Sequence, residues 1–65
     1  MIDNHTYNLI LQLVQENKSL WRIENHYLGD AETCADCREL WERVKKAKEE
    51  SVAEMMELLK RHLTA

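Results

Sequence analysis

The stretch Gly29-Asp30-Ala31-Glu32-Thr33-Cys34-Ala35-Asp36-Cys37 lies near the middle of a 65-residue chain and holds its only glycine and its only two cysteines. The segments on either side carry apolar residues at helical spacing, and the chain contains no proline. Glycine just after a helix end often takes the left-handed conformation that stops the helix. We therefore predict that Gly29 ends a first helix and that Asp30 or Thr33 caps a second one.

These signals predict a single all-α domain over residues 1–65. We expect a helix at about 4–28, a turn at about 29–33 and a second helix at about 34–63. Two long helices joined by a few residues most simply form an antiparallel two-helix hairpin. The first helix begins close to Asp3 or Asn4, either of which can cap it by accepting a hydrogen bond from a free backbone N–H group.

The first segment has an apolar stripe that is wider than one row of side chains. A central row contains two polar residues, Asn17 and Glu24, where an uninterrupted core would carry aliphatic side chains. We interpret Asn17 as a residue that fixes register or oligomer state. We interpret Glu24 as the partner of a basic side chain, with Arg38 the first candidate, or as a metal ligand facing a bundle interior. The rows are Leu13, Leu20 and Tyr27; Tyr7, Val14, Trp21 and Leu28; and centrally Ile10, Asn17 and Glu24.

The second segment carries a matching stripe, which Lys48 and Ser51 interrupt near its middle. Two helices alone leave much of both stripes exposed, and a large exposed apolar patch indicates an interface. We therefore predict a homodimer that forms a four-helix bundle, with a helical protein partner as a further use of the same surface. The residues expected to be most exposed in a single hairpin are Leu13, Leu20, Trp21, Trp41 and Met55.

Cys34 and Cys37 have the spacing of a metal knuckle or a redox pair. A nearby helix N-terminus stabilises thiolates, the form that binds zinc or attacks a disulfide. Structural zinc takes four ligands, so a zinc site would need the same pair from a second protomer, or Glu24 and His26 as additional donors. The shared arrangement resembles the zinc hook, in which Cys-x-x-Cys lies at the apex of a helical hairpin. A redox pair and two thiols without a role remain open alternatives.

Part of the second segment resembles the second helix of ferritin-like, rubrerythrin-type half-bundles. The resemblance lies in two runs, Arg38-Glu39-Leu40-Trp41-Glu42-Arg43-Val44 and Lys48-Glu49-Glu50-Ser51-Val52-Ala53-Glu54-Met55. That family packs two hairpins around iron, so the resemblance implies a four-helix bundle and, as a further alternative, a degenerate ferritin-like redox protein. The family's iron motif on this helix is a glutamate followed three residues later by a histidine, and here Lys48 and Ser51 stand at those places. Glu24 matches the interior glutamate of the first helix.

Composition narrows the function classes. Nine basic and twelve acidic residues give a net charge of -3, without the basic face expected of a nucleic-acid-binding protein. No apolar run approaches the roughly 20 residues that span a bilayer, and no signal peptide is visible, so we expect a cytoplasmic protein. Neither a nucleophile–base pair nor a glycine-rich loop indicates an enzyme. The leading expectation is a self-associating structural or protein-interaction module, with zinc as the only cofactor suggested.

Overall fold

A computed structural model describes residues 2–64 and is helical over almost all of them. Helix α1 spans Asn4–Arg22 and continues directly into a π-helical segment, Ile23–Tyr27. A short helix α2, Leu28–Asp30, completes the first arm, and helix α3 spans Ala35–Thr64. The described part of the chain contains no β-strand, so the all-α prediction is confirmed.

Asp3 caps the start of α1, as one of the two predicted candidates. Its backbone is extended, and its Oδ1 accepts a 2.8 Å hydrogen bond from the N–H group of Thr6. The carbonyl of Asp3 accepts the N–H group of Tyr7 at 3.0 Å. The side-chain bond satisfies one of the backbone donors that a helix start leaves without a partner.

The π-helical segment is a feature that the sequence did not predict. The N–H group of Leu28 donates to the carbonyl of Ile23, five residues earlier, which widens the helix locally. The side-chain amide of Asn25 donates a 2.8 Å hydrogen bond to the carbonyl of Trp21 at the same place. Ile23, at 1% exposure, is the most deeply buried large side chain among residues 2–64.

The prediction that Gly29 stops the first helix in a left-handed conformation is wrong. Gly29 lies inside α2, and no glycine in the described chain has a positive φ. The chain leaves the helix at Ala31, whose φ of -92° and ψ of 14° are open to any residue, so glycine is not needed there. Backbone bonds from Ala31 N to Tyr27 O and from Cys34 N to Ala31 O, both 3.0 Å, hold the turn.

The two long helices pack side by side along a seam of half-buried side chains. The rings of His5 and His62 stack 6.4 Å apart at one end, and Tyr27 and Trp41 lie 4.8 Å apart at the other. Along both helices the seam residues alternate in steps of four and three, the spacing of a coiled-coil contact. They are Leu9, Leu13, Glu16, Leu20, Ile23 and Tyr27 from the first arm, and Trp41, Lys45, Lys48, Val52, Met55 and Leu59 from α3.

Two predictions about the facing residues need correction. Glu24 does not pair with Arg38; its Oε1 lies 3.2 Å from Nζ of Lys45. The turn lies later in the chain than predicted, so each first-arm residue faces a later residue of α3. The predicted central row, Ile10, Asn17 and Glu24, is exposed, and the row one residue earlier on the helix forms the seam.

The expectation of five strongly exposed apolar residues holds for Trp21, which is 56% exposed. The other four, Leu13, Leu20, Trp41 and Met55, are half-buried because they lie in the seam. The shape remains elongated: the radius of gyration is 14.7 Å, against about 11 Å for a compact chain of this length. Among the described helices, none combines the length and apolar character of a membrane span.

Candidate functional site

Cys34 caps the start of α3 with its sulfur. Its carbonyl accepts the N–H group of Arg38 at 3.0 Å, and its Sγ accepts the N–H group of Cys37 at 3.4 Å. This is the N-cap arrangement, in which a side-chain acceptor satisfies a free backbone donor three residues later. The prediction that Asp30 or Thr33 would cap this helix is wrong, because the turn ends later and leaves Cys34 in the capping position.

The two thiols influence each other's ionisation in opposite directions. The pKa of Cys34 is lowered, first by a hydrogen bond from the side chain of Cys37 and then by the backbone N–H group of Cys37. The pKa of Cys37 is raised, because its thiol donates that bond and a charge on Cys34 opposes a second charge nearby. The backbone N–H group of Cys37 thus stabilises negative charge on the sulfur of Cys34 rather than on the sulfur of Cys37.

Both cysteines are exposed and carry free thiols. They border a shallow cleft of about 320 Å³ whose walls include the aromatic rings of Tyr27 and Trp41. Asp30 and Ala31 complete the lining. Reagents in solvent can therefore reach the two cysteines. The fluorescent indole ring of Trp41 lines the same cleft.

Glu24 and His26 do not join the cysteines. Glu24 forms its ion pair with Lys45, and that contact raises the pKa of Lys45. His26 packs edge-on against Trp21 with the ring centres 5.1 Å apart. Within residues 2–64 no three His, Cys, Asp or Glu side chains converge as a metal site requires. One chain therefore brings together two of the four candidate donors, Cys34 and Cys37.

The iron motif expected from the ferritin-like resemblance would lie at Lys48 and Ser51. Lys48 donates a 2.8 Å hydrogen bond from Nζ to Oε2 of Glu16, in the middle of the seam. Ser51 is exposed. These two positions thus present an ammonium group, already paired with a carboxylate, and a hydroxyl group.

A second candidate surface is apolar and runs along one side of the molecule. Tyr7, Ile10, Val14 and Trp21 share one face of α1 by their spacing and are 36–56% exposed. Val14 borders a groove together with Met56 of α3, so this surface continues onto the second helix. We call these five residues the apolar face.

A further cleft, of about 520 Å³, lies at the end of the molecule where α1 begins and α3 ends. His5 and His62 line it together with Leu9, Met55 and Leu58. The rings of these two histidines stack with their centres 6.4 Å apart. They supply two nitrogen ligands, which is fewer than a structural zinc site needs.

The sequence analysis missed the capping role of Cys34 and the position of Glu16 in the seam, although the spacing of the residues contains a signal for both. The step of three from Cys34 to Cys37 equals the step from an N-cap residue to its backbone donor. Glu16 continues the four–three spacing of Leu13 and Leu20, which marks it as a seam residue despite its charge.

Comparison of this chain with protein-family models, curated proteins and solved structures finds no match.

Proposed function

We propose that this protein is a small self-associating helical module, in which an antiparallel hairpin pairs with a second copy through the apolar face to form a four-helix bundle. The observation that carries the proposal is a row of large apolar side chains that neither helix of the same chain covers. The proposed role is structural or adaptor-like.

The first support is the small amount of core in a single chain. Ile23 and Ala31 are the only apolar residues of the described chain that are buried. The chain exposes 5216 Å², whereas a compact monomer of its mass exposes about 4,400 Å². The excess of roughly 800 Å² matches the area that each partner buries in a standard protein interface.

The second support is the position of the apolar face. It extends across both helices, from Val14 and Trp21 to Met56, so a second hairpin can lie against it along its length. A two-fold axis brings the same face of each copy together, and one patch then covers the other. The net charge of -3 opposes such pairing only weakly.

Analytical ultracentrifugation over a range of micromolar concentrations tests the proposal. We expect the mass of a dimer for the wild-type chain and the mass of a monomer for Val14→Glu, because a carboxylate in the centre of the apolar face would have to be desolvated. Gln15→Glu is the matched control, since it adds the same charge at an exposed neighbouring position, and it should remain dimeric.

Two results would overturn the proposal. One is a wild-type chain that stays monomeric at these concentrations while circular dichroism shows full helicity. The other is dimeric mass for both variants, which would assign the contact to a different surface. Circular dichroism of Val14→Glu distinguishes loss of pairing from loss of the fold.

A further inference from the structure

Cys34 and Cys37 occupy the capping position and the first turn of α3, with Sγ of Cys34 3.4 Å from the backbone nitrogen of Cys37. Side chains three residues apart in a helical turn are neighbours, with their Cβ atoms about 5–6 Å apart. A disulfide needs Cα atoms about 4.4–6.8 Å apart and Cβ atoms about 3.5–4.5 Å apart, so the two Cβ atoms must come closer than those of two residues inside a helix. Cys34 is the capping residue and lies outside the helix, so a change in its backbone torsions can close this gap while Ala35–Thr64 stays helical.

We infer that Cys34 and Cys37 form a reversible dithiol–disulfide pair that is oxidised by low-molecular-weight disulfides, with Cys34 as the attacking thiol and Cys37 as the resolving thiol. This inference is independent of the proposed self-association. It assigns a chemical activity to the turn end of the molecule, whereas the apolar face lies along its side.

The geometry favours a disulfide over a metal site within one chain. Two sulfur atoms suffice for a disulfide, whereas structural zinc needs four ligands, and no third donor joins the pair among residues 2–64. Both thiols are exposed, so a small disulfide can approach in line with either sulfur. The two thiols differ in their contact with the backbone. The N–H group of Cys37 donates a hydrogen bond to Sγ of Cys34 and stabilises negative charge on that sulfur.

The reaction balances in two exchanges. The thiolate of Cys34 attacks one sulfur of the small disulfide, the S–S bond breaks, and one small thiolate leaves and takes up a proton from solvent. The resulting mixed disulfide joins Cys34 to the other half of the reagent. Cys37 then loses its proton to solvent, and its sulfur attacks Sγ of Cys34. The second small thiolate leaves and is protonated, so two protein thiols are oxidised as one small disulfide is reduced to two thiols.

Incubation of the full chain with mixtures of reduced and oxidised glutathione tests the inference. Under denaturing conditions we expect a product with the mass of one chain, lighter than the reduced chain by two hydrogen atoms, and full reversal when reduced glutathione is added in excess. Fluorescence should change in parallel, because Trp41 borders the same cleft as both thiols.

Single variants separate the two roles. Cys37→Ser should accumulate a mixed disulfide with glutathione, because the attacking thiol remains and the resolving thiol is gone. Cys34→Ser retains a good capping side chain, and its remaining thiol should react about tenfold more slowly with iodoacetamide than the thiol of Cys37→Ser. Circular dichroism of both variants confirms that they remain folded.

Three results would overturn the inference. They are equal reaction rates for the two single variants, a disulfide that links only different chains, and zinc retained at half an atom per chain after purification without chelator. The last result would assign the thiols to a metal site shared between two protomers. None of these results depends on Val14, so failure here leaves the test of self-association intact.

Discussion

Nζ of Lys48 donates a 2.8 Å hydrogen bond to Oε2 of Glu16, and this ion pair stands in the middle of an otherwise largely apolar seam. The other carboxylate oxygen of Glu16 accepts a 2.9 Å hydrogen bond from Gln12. The side chains of Glu16 and Lys48 are only 14% and 29% exposed. Removing one partner of such a sheltered pair lowers the stability of the fold, because the charge of the other partner remains partly desolvated.

Replacing one or both partners of this pair should give opposite results. Lys48→Leu should lower the free energy of unfolding by about 1–2 kcal/mol, because Glu16 keeps its charge without its cation. Glu16→Leu combined with Lys48→Leu should restore wild-type stability or exceed it, because two partly buried charges in the middle of the seam are replaced by apolar side chains. Urea unfolding at one fixed protein concentration compares wild type, Glu16→Leu, Lys48→Leu and the double variant. Simple additivity of the two single changes would contradict the coupling.

The same pair should make stability depend on pH in the acid range. The pKa of Glu16 lies below its ordinary value of 4.5, because Lys48 and then Gln12 donate hydrogen bonds to the carboxylate. The folded pKa is thus lower than the unfolded one. The contribution of Glu16 is complete above pH 4.5 and is lost as the pH falls through the depressed folded value.

Thermal unfolding of wild type and Glu16→Gln checks this sign. The wild-type chain should be the more stable at pH 7, and the difference should shrink as the pH falls below 4.5 through the lowered folded pKa of Glu16. Asp3 also has a lowered pKa, owing to its bond from Thr6, so the comparison between the two chains, rather than the wild-type curve alone, isolates Glu16. A difference that stays constant with pH would contradict the prediction.

Gly29→Ala should stabilise the protein. The residue is helical, its φ is not positive, and a Cβ atom placed there meets nothing within 4 Å. Alanine at such a position loses less backbone entropy on folding, which is worth about 0.4–1 kcal/mol. A higher melting temperature is the expected measurement. Destabilisation would instead indicate the left-handed turn that the sequence alone suggested.

Ile23→Ala should be the most damaging of the isoleucine truncations. Ile23 is 1% exposed in the π-helical segment, and truncation of a buried isoleucine costs about 2–5 kcal/mol. Ile2→Ala is the matched control, because Ile2 is 55% exposed and should change stability by less than about 0.5 kcal/mol. Equal effects of the two substitutions in urea unfolding would show that the packing around Ile23 is not the main core contact.

The sequence predicts the two helices well because their apolar residues recur at helical spacing and Asp3 supplies a recognisable start. It misplaces the contact between them because the apolar stripe is broader than one partner helix can cover. The rows through Leu13 and through Ile10 are neighbours on α1, and only packing against α3 decides which one becomes the seam.

The turn was predicted less well because several local solutions compete there. Gly29 permits a left-handed stop but does not require one, and the right-handed turn at Ala31 serves instead. Thr33 is a more usual cap than cysteine, yet the position of the turn places Cys34 next to the first helical residue. The π-helical segment has no sequence signal that periodicity detects.

The extents of the molecule, 48 × 17 × 13 Å, describe a slab that is one helix thick. In such a slab almost no atom lies more than one layer from water. Unfolding of an isolated chain therefore exposes little additional apolar surface, and the heat-capacity change of unfolding is small. A second copy laid on the slab would supply most of that change. The melting temperature would then rise with protein concentration, and the amount of protein that a cell makes would help to determine how much of it is folded.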